Sequence, residues 1–180
     1  ESLLDVSRIE AGRIELRSEV VSLPELLQQL VAIFQPMAAK KGVVFEIHLP
    51  SNLPSHIRTD PQRLRQILMN LLSNAVKFTE SGTVSFSVRY RSQVAEFEVS
   101  DTGPGIAQTD LQTIFEPFER GRASVELGAM GTGLGLTIVR LLCDVMGGDV
   151  TVDSVLGEGS TFKALLYLPP VEAPIGDEEV

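Results

Sequence analysis

Hydrophobic and polar positions along the chain switch between two periods, and each switch marks an element. Residues 1–17 carry Leu3, Leu4, Val6 and Ile9 among good helix formers, which predicts the end of a helix weakened at Gly12. "SLPELL" restarts structure: Ser22 can cap, Pro24 suits a first turn and Glu25 completes a capping box. The spacing predicts a helix to about Lys41 that stops at Gly42. "VVFEIHL" alternates, with Phe45, Ile47 and Leu49 on one face, and reads as a strand with His48 on its polar side. His56 is expected in a loop. Asp60-Pro61 starts a helix to about Thr79, in which Leu64, Ile67, Leu68, Leu71, Leu72 and Ala75 form one apolar stripe.

Two alternating runs follow, "TVSFSVRY" and "VAEFEVS", spaced for a hairpin. After a Gly-rich turn at 101–106, a short helix is predicted over about 107–114 and an aperiodic loop over 119–132. A further helix covers about 133–146, ended by Gly147-Gly148, and strands near 149–155 and 160–168 make a second hairpin. Paired strands interleaved with helices predict an α+β sandwich: a mixed, largely antiparallel sheet with helices on one face. The acidic "PPVEAPIGDEEV" reads as a disordered tail or linker. The expected divisions are 1–18, 19–169 and 170–180.

Composition narrows the partners. A chain of 180 residues with 43% apolar and 22% charged positions suits one globular domain. Its net charge of −9, with no basic run longer than two residues, argues against nucleic acid or an anionic membrane surface as a partner. Any anionic ligand must be held by local positive groups. One cysteine, Cys143, sits in an apolar helical run; it excludes an internal disulfide framework and fits a reducing, cytoplasmic compartment. No run reaches membrane-spanning length. The chain opens at Glu1 in the middle of a helical pattern, so it reads as a segment of a longer parent, whose own anchoring stays open.

Three stretches carry candidate chemistry. In "RLRQILMNLLSNAVKFT", Gln66, Asn70, Asn74 and Lys77 stand beside the apolar stripe, and the last three share a face at i, i+4, i+7. Most such rows are solvated faces; alternatively, an amide oxygen can join the shell of Mg²⁺ and Lys77 can meet a phosphate. "DTGPGI" (101–106) is either a tight turn or a floor for a flat ligand, with Asp101 accepting from an exocyclic amine. "GAMGTGLGL" (128–136) is either a flexible loop or a set of backbone amides cradling an anion at a helix start. It is neither a Walker A loop nor a dinucleotide fingerprint, lacking a following Lys-Ser/Thr and a preceding strand.

In this order the stretches resemble the catalytic ATP-binding domain of sensor histidine kinases, within the gyrase/Hsp90-like ATPase superfamily. "QILMNLLSNAVKFT" is similar to the N box, "DTGPGI" to the first glycine box, "IFEPFER" to the F box and "GTGLGL" to the second glycine box, while "GEGSTF" (157–162) resembles the strand entry near the adenine pocket. The resemblance covers about residues 22–168. "LLDVSRIEAGRIEL" resembles the end of the dimerisation helix that precedes the domain.

That resemblance implies a Bergerat-type sandwich, a sheet layered against three helices, with ATP between the helices and a lid. Asn74 would hold Mg²⁺, with Asn70 close by; Lys77 would contact phosphates and Phe78 would pack on adenine. Asp101 would accept from the adenine amino group, assisted by Thr161, over the glycines Gly103 and Gly105. Gly131, Gly133, Leu134 and Gly135 would shape the lid hinge and phosphate cradle, with Gly128 in the lid. Arg120 would reach the γ-phosphate, so Asn70, Lys77 and Arg120 would serve the transfer itself. Phe115 and Phe118 would anchor the lid by packing.

The implied reaction is transfer of the γ-phosphoryl group of ATP to histidine, by a cytoplasmic kinase whose other partners are its own dimerisation/phosphoacceptor domain and a response regulator. Neither His48 nor His56 is followed by an acidic residue in a helical pattern, as the family's phosphoacceptor is. The acceptor is expected upstream, so this segment would bind ATP without phosphorylating itself, as a monomer cut from a homodimeric parent. The superfamily's hydrolases carry a glutamate four residues before the Mg-binding asparagine, where this chain has Asn70. An amide cannot act as a general base, which favours phosphotransfer over hydrolysis. A degenerate nucleotide-sensing module and an anti-sigma-type serine kinase are the competing readings.

Overall fold

Period-two alternation builds the larger of the two sheets among the described residues. In the computed structural model, which describes residues 14–116 and 135–172, strands β2 (Val44–His48), β4 (Thr83–Arg91), β5 (Val94–Asp101), β6 (Asp149–Val155) and β7 (Gly159–Tyr167) form a mixed sheet in the order β2-β4-β5-β7-β6. β2 runs parallel to β4, and the other neighbours are antiparallel. One face carries Val84, Phe86, Val88, Ala95, Phe97, Val99, Phe162, Ala164 and Leu166 into the core. The other carries polar pairs such as Lys163 with Glu98.

The core-facing side is covered by helices. α1 (Leu23–Lys41) is capped by Ser22, whose Oγ accepts from Glu25 N, and ends at Gly42 in the left-handed region. Pro36 lies inside α1 on its exposed side, so the missing donor falls where water can satisfy the orphaned carbonyl. α2 (Pro61–Phe78) starts at Asp60, whose Oδ1 accepts from Gln62 N at 3.1 Å and Arg63 N at 3.2 Å. The other oxygen of Asp60 accepts from Arg17 N at 2.9 Å, which ties the incoming chain to the same helix end. α3 (Gln108–Leu111) is a single turn, and α4 (Gly135–Val145) buries Ile138, Val139, Leu142 and Cys143. Burial holds the Cys143 thiol up at about 12, as suits a packing thiol. Each fully buried Leu, Ile, Val or Phe contributes roughly 1.5–3 kcal/mol.

The mixed sheet with three long helices on one face is the architecture expected from the pattern. Four local readings are corrected. Residues 14–18 are not helical, and the rest of that expected helix lies outside the described residues. β1 (Glu19–Ser22) and β3 (His56–Thr59) form a two-stranded antiparallel sheet that the pattern did not reveal. His56 therefore opens a strand and does not sit in a loop. The expected tail begins with residues held in place: Arg58 N donates to Pro169 O and Val171 N to His56 O, both at 3.0 Å. The expected loop over 119–132 and the tail from 173 lie outside the described residues.

Candidate functional site

α2 supplies the first wall. Its leucine stripe is buried, and the flank beside it presents Gln66, Asn70 and Asn74, half-buried, and Lys77, exposed, in steps of three and four residues. Arg63 Nη1 donates to Gln66 Oε1 at 2.9 Å. Lys77 Nζ stands 5.6 Å from the centre of the half-buried Phe78 ring, a cation–π distance. The last turn is held from outside: Lys41 Nζ donates to the carbonyls of Val76 and Lys77.

β5 delivers the second wall. Asp101 is its last residue, and Oδ1 accepts from Gly103 N at 2.9 Å. Burial pushes the Asp101 carboxyl above its ordinary range, and hydrogen bonds from the backbone N–H groups of Gly103 and Ser160 draw it part of the way back. A side chain at Gly103 would come within 3.0 Å of Asp101 Oδ1 and 3.1 Å of Phe78 O, so the loop lies on the end of α2. Gly105 has φ +71°, and a Cβ there would run into the Val155 carbonyl. Across that contact Gly157 N donates to Pro104 O and Ile106 N to Ser154 Oγ, both at 2.7 Å. The "DTGPGI" loop is thus gripped between the end of α2 and the β6–β7 hairpin. Thr79, fully buried just after α2, has an Oγ1 without a hydrogen-bond partner among the described residues, 3.4 Å from where a Gly103 Cβ would stand.

The start of α4 is the third wall. A Cβ on Gly135 would lie 3.3 Å from Asn70 Oδ1, so the helix begins against the α2 row. Its first N–H groups lack partners within the helix and carry the positive end of its dipole. Phe115 packs edge-on to Phe162, ring centres 6.4 Å apart, with Arg140 above it. The other expected positions, Phe118, Arg120, Gly128, Gly131, Gly133 and Leu134, lie outside the described residues.

Thr161 is not where the motif reading put it. It pairs with Ser100, to whose Oγ it bonds at 2.8 Å, on the sheet face opposite the helices. Ser160 is the residue directly across from Asp101 on the helix-facing side, and Ser154 lies directly across from Ser160. Neither serine was singled out from the sequence. Alternation alone identifies them: Ser160 shares its parity with Phe162 and Ala164, and Ser154 with Val150 and Val152.

These walls together offer amide oxygens, the Lys77 ammonium, a helix start, the half-buried Asp101 carboxylate and, among the described residues, the unpartnered Thr79 hydroxyl. That donor set fits a magnesium-bound purine nucleotide. Among the described residues no three His, Cys, Asp or Glu side chains gather into a metal-holding group, and no helix is long and apolar enough to cross a membrane.

The model of the histidine kinase-, DNA gyrase B- and HSP90-like ATPases matches residues 59–171. The autoinducer 2 sensor kinase/phosphatase LuxQ of Vibrio vulnificus is 40% identical over 166 residues, covering 89% of this chain and 19% of LuxQ. The aerobic respiration control sensor protein ArcB of Escherichia coli is 39% identical over 177 residues, covering 97% of this chain and 23% of ArcB. The chain thus spans about a fifth of the length of these relatives. The crystal structure of full-length ShkA in complex with AMPPNP superposes with a TM-score of 0.82 at 38% identity, covering 97% of this chain and 36% of that one. The catalytic domain of the histidine kinase ThkA shares the fold, with a TM-score of 0.71 at 24% identity. Site walls, sheet order and matched residues agree: the chain belongs to the family of histidine kinase-, DNA gyrase B- and HSP90-like ATPases.

Proposed function

We propose that this chain is the ATP-binding catalytic domain of a two-component sensor histidine kinase, which holds Mg-ATP and presents its γ-phosphoryl group to a histidine outside the chain. The observation that carries the reading is the meeting of three walls at one end of the sheet: the Asn70–Asn74–Lys77 row, the Asp101 loop and the Gly135 helix start. Asn74 is the proposed Mg²⁺ ligand, with Asn70 next to it, and Lys77 pairs with phosphate. Asp101 accepts from the adenine amine, Phe78 packs on the base, and Gly103 and Gly105 let backbone come close. Ser160, and not Thr161, is the proposed companion of Asp101. The proposed roles of Arg120, Gly131, Gly133 and Leu134 rest on the motifs alone.

Magnesium, when bound, supplies neutralisation of the phosphate charge, and it suits a site with few protein oxygens because it keeps waters and phosphate oxygens as ligands. Phosphoryl transfer needs positioning and charge compensation more than covalent work by the protein. Asn70 has no basic site, so the row orients a ligand without activating water. His48 is exposed on the open sheet face and pairs with Glu46 at 3.5 Å, and His56 lies in β3. We therefore assign the acceptor histidine and the dimerisation domain to the parent kinase, working in the cytoplasm with a downstream response regulator as its partner, and take the chain itself as a monomer.

The test is magnesium-dependent binding of a fluorescent ATP analogue to the chain, compared with Asp101→Asn and Asn74→Ala. Affinity should fall at least tenfold in both; undiminished binding in both overturns the site. Radiolabelled phosphate from ATP should then pass in trans to a separate protein bearing the dimerisation and acceptor helix.

A further inference from the structure

Asp101, Ser160 and Ser154 form one row across β5, β7 and β6, each directly opposite the next. Both serines are buried, and their hydroxyls are 2.8 Å apart. A hydroxyl has one proton and two acceptor positions, which fixes the direction of every bond in this group. Gly159 O lies 2.9 Å from Ser154 Oγ and can only accept, so the Ser154 proton goes there. Ile106 N, 2.7 Å away, can only donate and fills one acceptor position of Ser154. The contact with Ser160 must therefore run from the Ser160 hydroxyl to the second acceptor position of Ser154. Ser160 is left with lone pairs alone for any other partner, and its backbone N–H is already given to Asp101.

We infer that Ser154 is a positioning residue for base selection: by claiming the Ser160 proton it makes the Asp101–Ser160 wall an acceptor-only surface, which takes a 6-amino purine and rejects a 6-oxo purine. The inference rests on the reading of this pocket as the nucleotide site. An adenine amine offers two N–H donors to such a wall. A 6-oxo group brings a third acceptor against two others, and buried acceptors without a donor are costly. Without the Ser154 hydroxyl, the Ser160 proton can turn toward a base oxygen.

The experiment compares ATP with inosine triphosphate, in which a 6-oxo group replaces the amine and N1 carries a proton; that N1–H is common to all variants, so a change of the ratio on Ser154→Ala reads the 6-oxo group. Dissociation constants are measured for the 180-residue chain, Ser154→Ala, Ser160→Ala and the double variant. The parent should prefer ATP, and Ser154→Ala should narrow that preference, up to about tenfold. In the Ser160→Ala background the same change should leave the ratio unaltered, because Ser154 acts through Ser160. Equal weakening of both nucleotides by Ser154→Ala, or an equal shift of the ratio in both backgrounds, overturns the inference and leaves the ATP site standing. If Ser154→Ala does not fold, Ser160→Ala alone must narrow the preference, and an unchanged ratio there overturns it. A parent chain that binds neither nucleotide overturns both readings.

Discussion

Lys41, the last residue of α1, donates through Nζ to the carbonyl oxygens of Val76 at 2.7 Å and Lys77 at 3.1 Å in the last turn of α2. A cation here satisfies carbonyls that the helix cannot and complements the negative end of its dipole. Lys41→Met should therefore lower stability by about 1 kcal/mol, below the usual range for a charged hydrogen bond because the exposed side chain is screened by water. Denaturant unfolding reads that loss. Nucleotide affinity should fall with it, since Lys77 and Phe78 sit in the turn being held. Lys41→Arg should restore most of both.

Gly105 and Gly42 separate two reasons for a glycine. Both have positive φ, +71° and +72°, but a Cβ on Gly42 meets nothing within 4 Å, whereas one on Gly105 meets the Val155 carbonyl. Gly42→Ala should cost about 1 kcal/mol, from backbone conformation alone. Gly105→Ala should cost more, about 2–4 kcal/mol, because the loop must leave the hairpin. Thermal unfolding ranks the two, and equal costs would show that the contact is relieved easily.

Asp101 links the site to pH. Its carboxyl is raised by burial, so the folded chain binds this proton more readily than the unfolded chain does. The group's contribution to stability is then present below the ordinary carboxylate range and is lost as pH rises through the raised value. Nucleotide binding should follow the opposite sign, because the proposed role needs the ionised acceptor. On acidification, affinity should start to fall at a higher pH than for an ordinary carboxylate. Isothermal titration across mildly acidic pH checks it, and a profile unchanged by Asp101→Asn would contradict it.

Asp60 joins three backbone donors, those of Gln62, Arg63 and Arg17. Asp60→Ala should cost about 1–2 kcal/mol as a lost helix cap. Hydrogen exchange should quicken at Gln62 and Arg63 and also at Arg17; protection unchanged at Arg17 would show that the link across the chain carries no weight.

Long periodic elements were legible in the sequence. The α2 stripe and both hairpins were visible because burial on one face imposes a period on the residues themselves. β1 and β3 were not, since four-residue strands have too few positions to show alternation, and their partners come from distant sequence. The same limit explains His56 and Pro169–Val171, whose places are set by pairing. The α2 row and the Asp101 loop were legible because spacing and glycine content mark them. The motif string alone suggests Thr161, whereas the parity of Phe162 and Ala164 puts Ser160 on the helix side. The direction of the Ser160 proton was beyond any sequence reading, as it depends on atoms of Ile106 and Gly159 meeting Ser154.

Asp60 and Lys41 hold opposite ends of one rod. α2 has 18 residues and so is about 27 Å long, with neither proline nor glycine after its first position to let it bend. A pull on Arg17 enters that rod at Asp60. It would reach Asn74 and Lys77 as displacement of the whole helix against the Asp101 loop, because a stiff helix transmits what a jointed one absorbs.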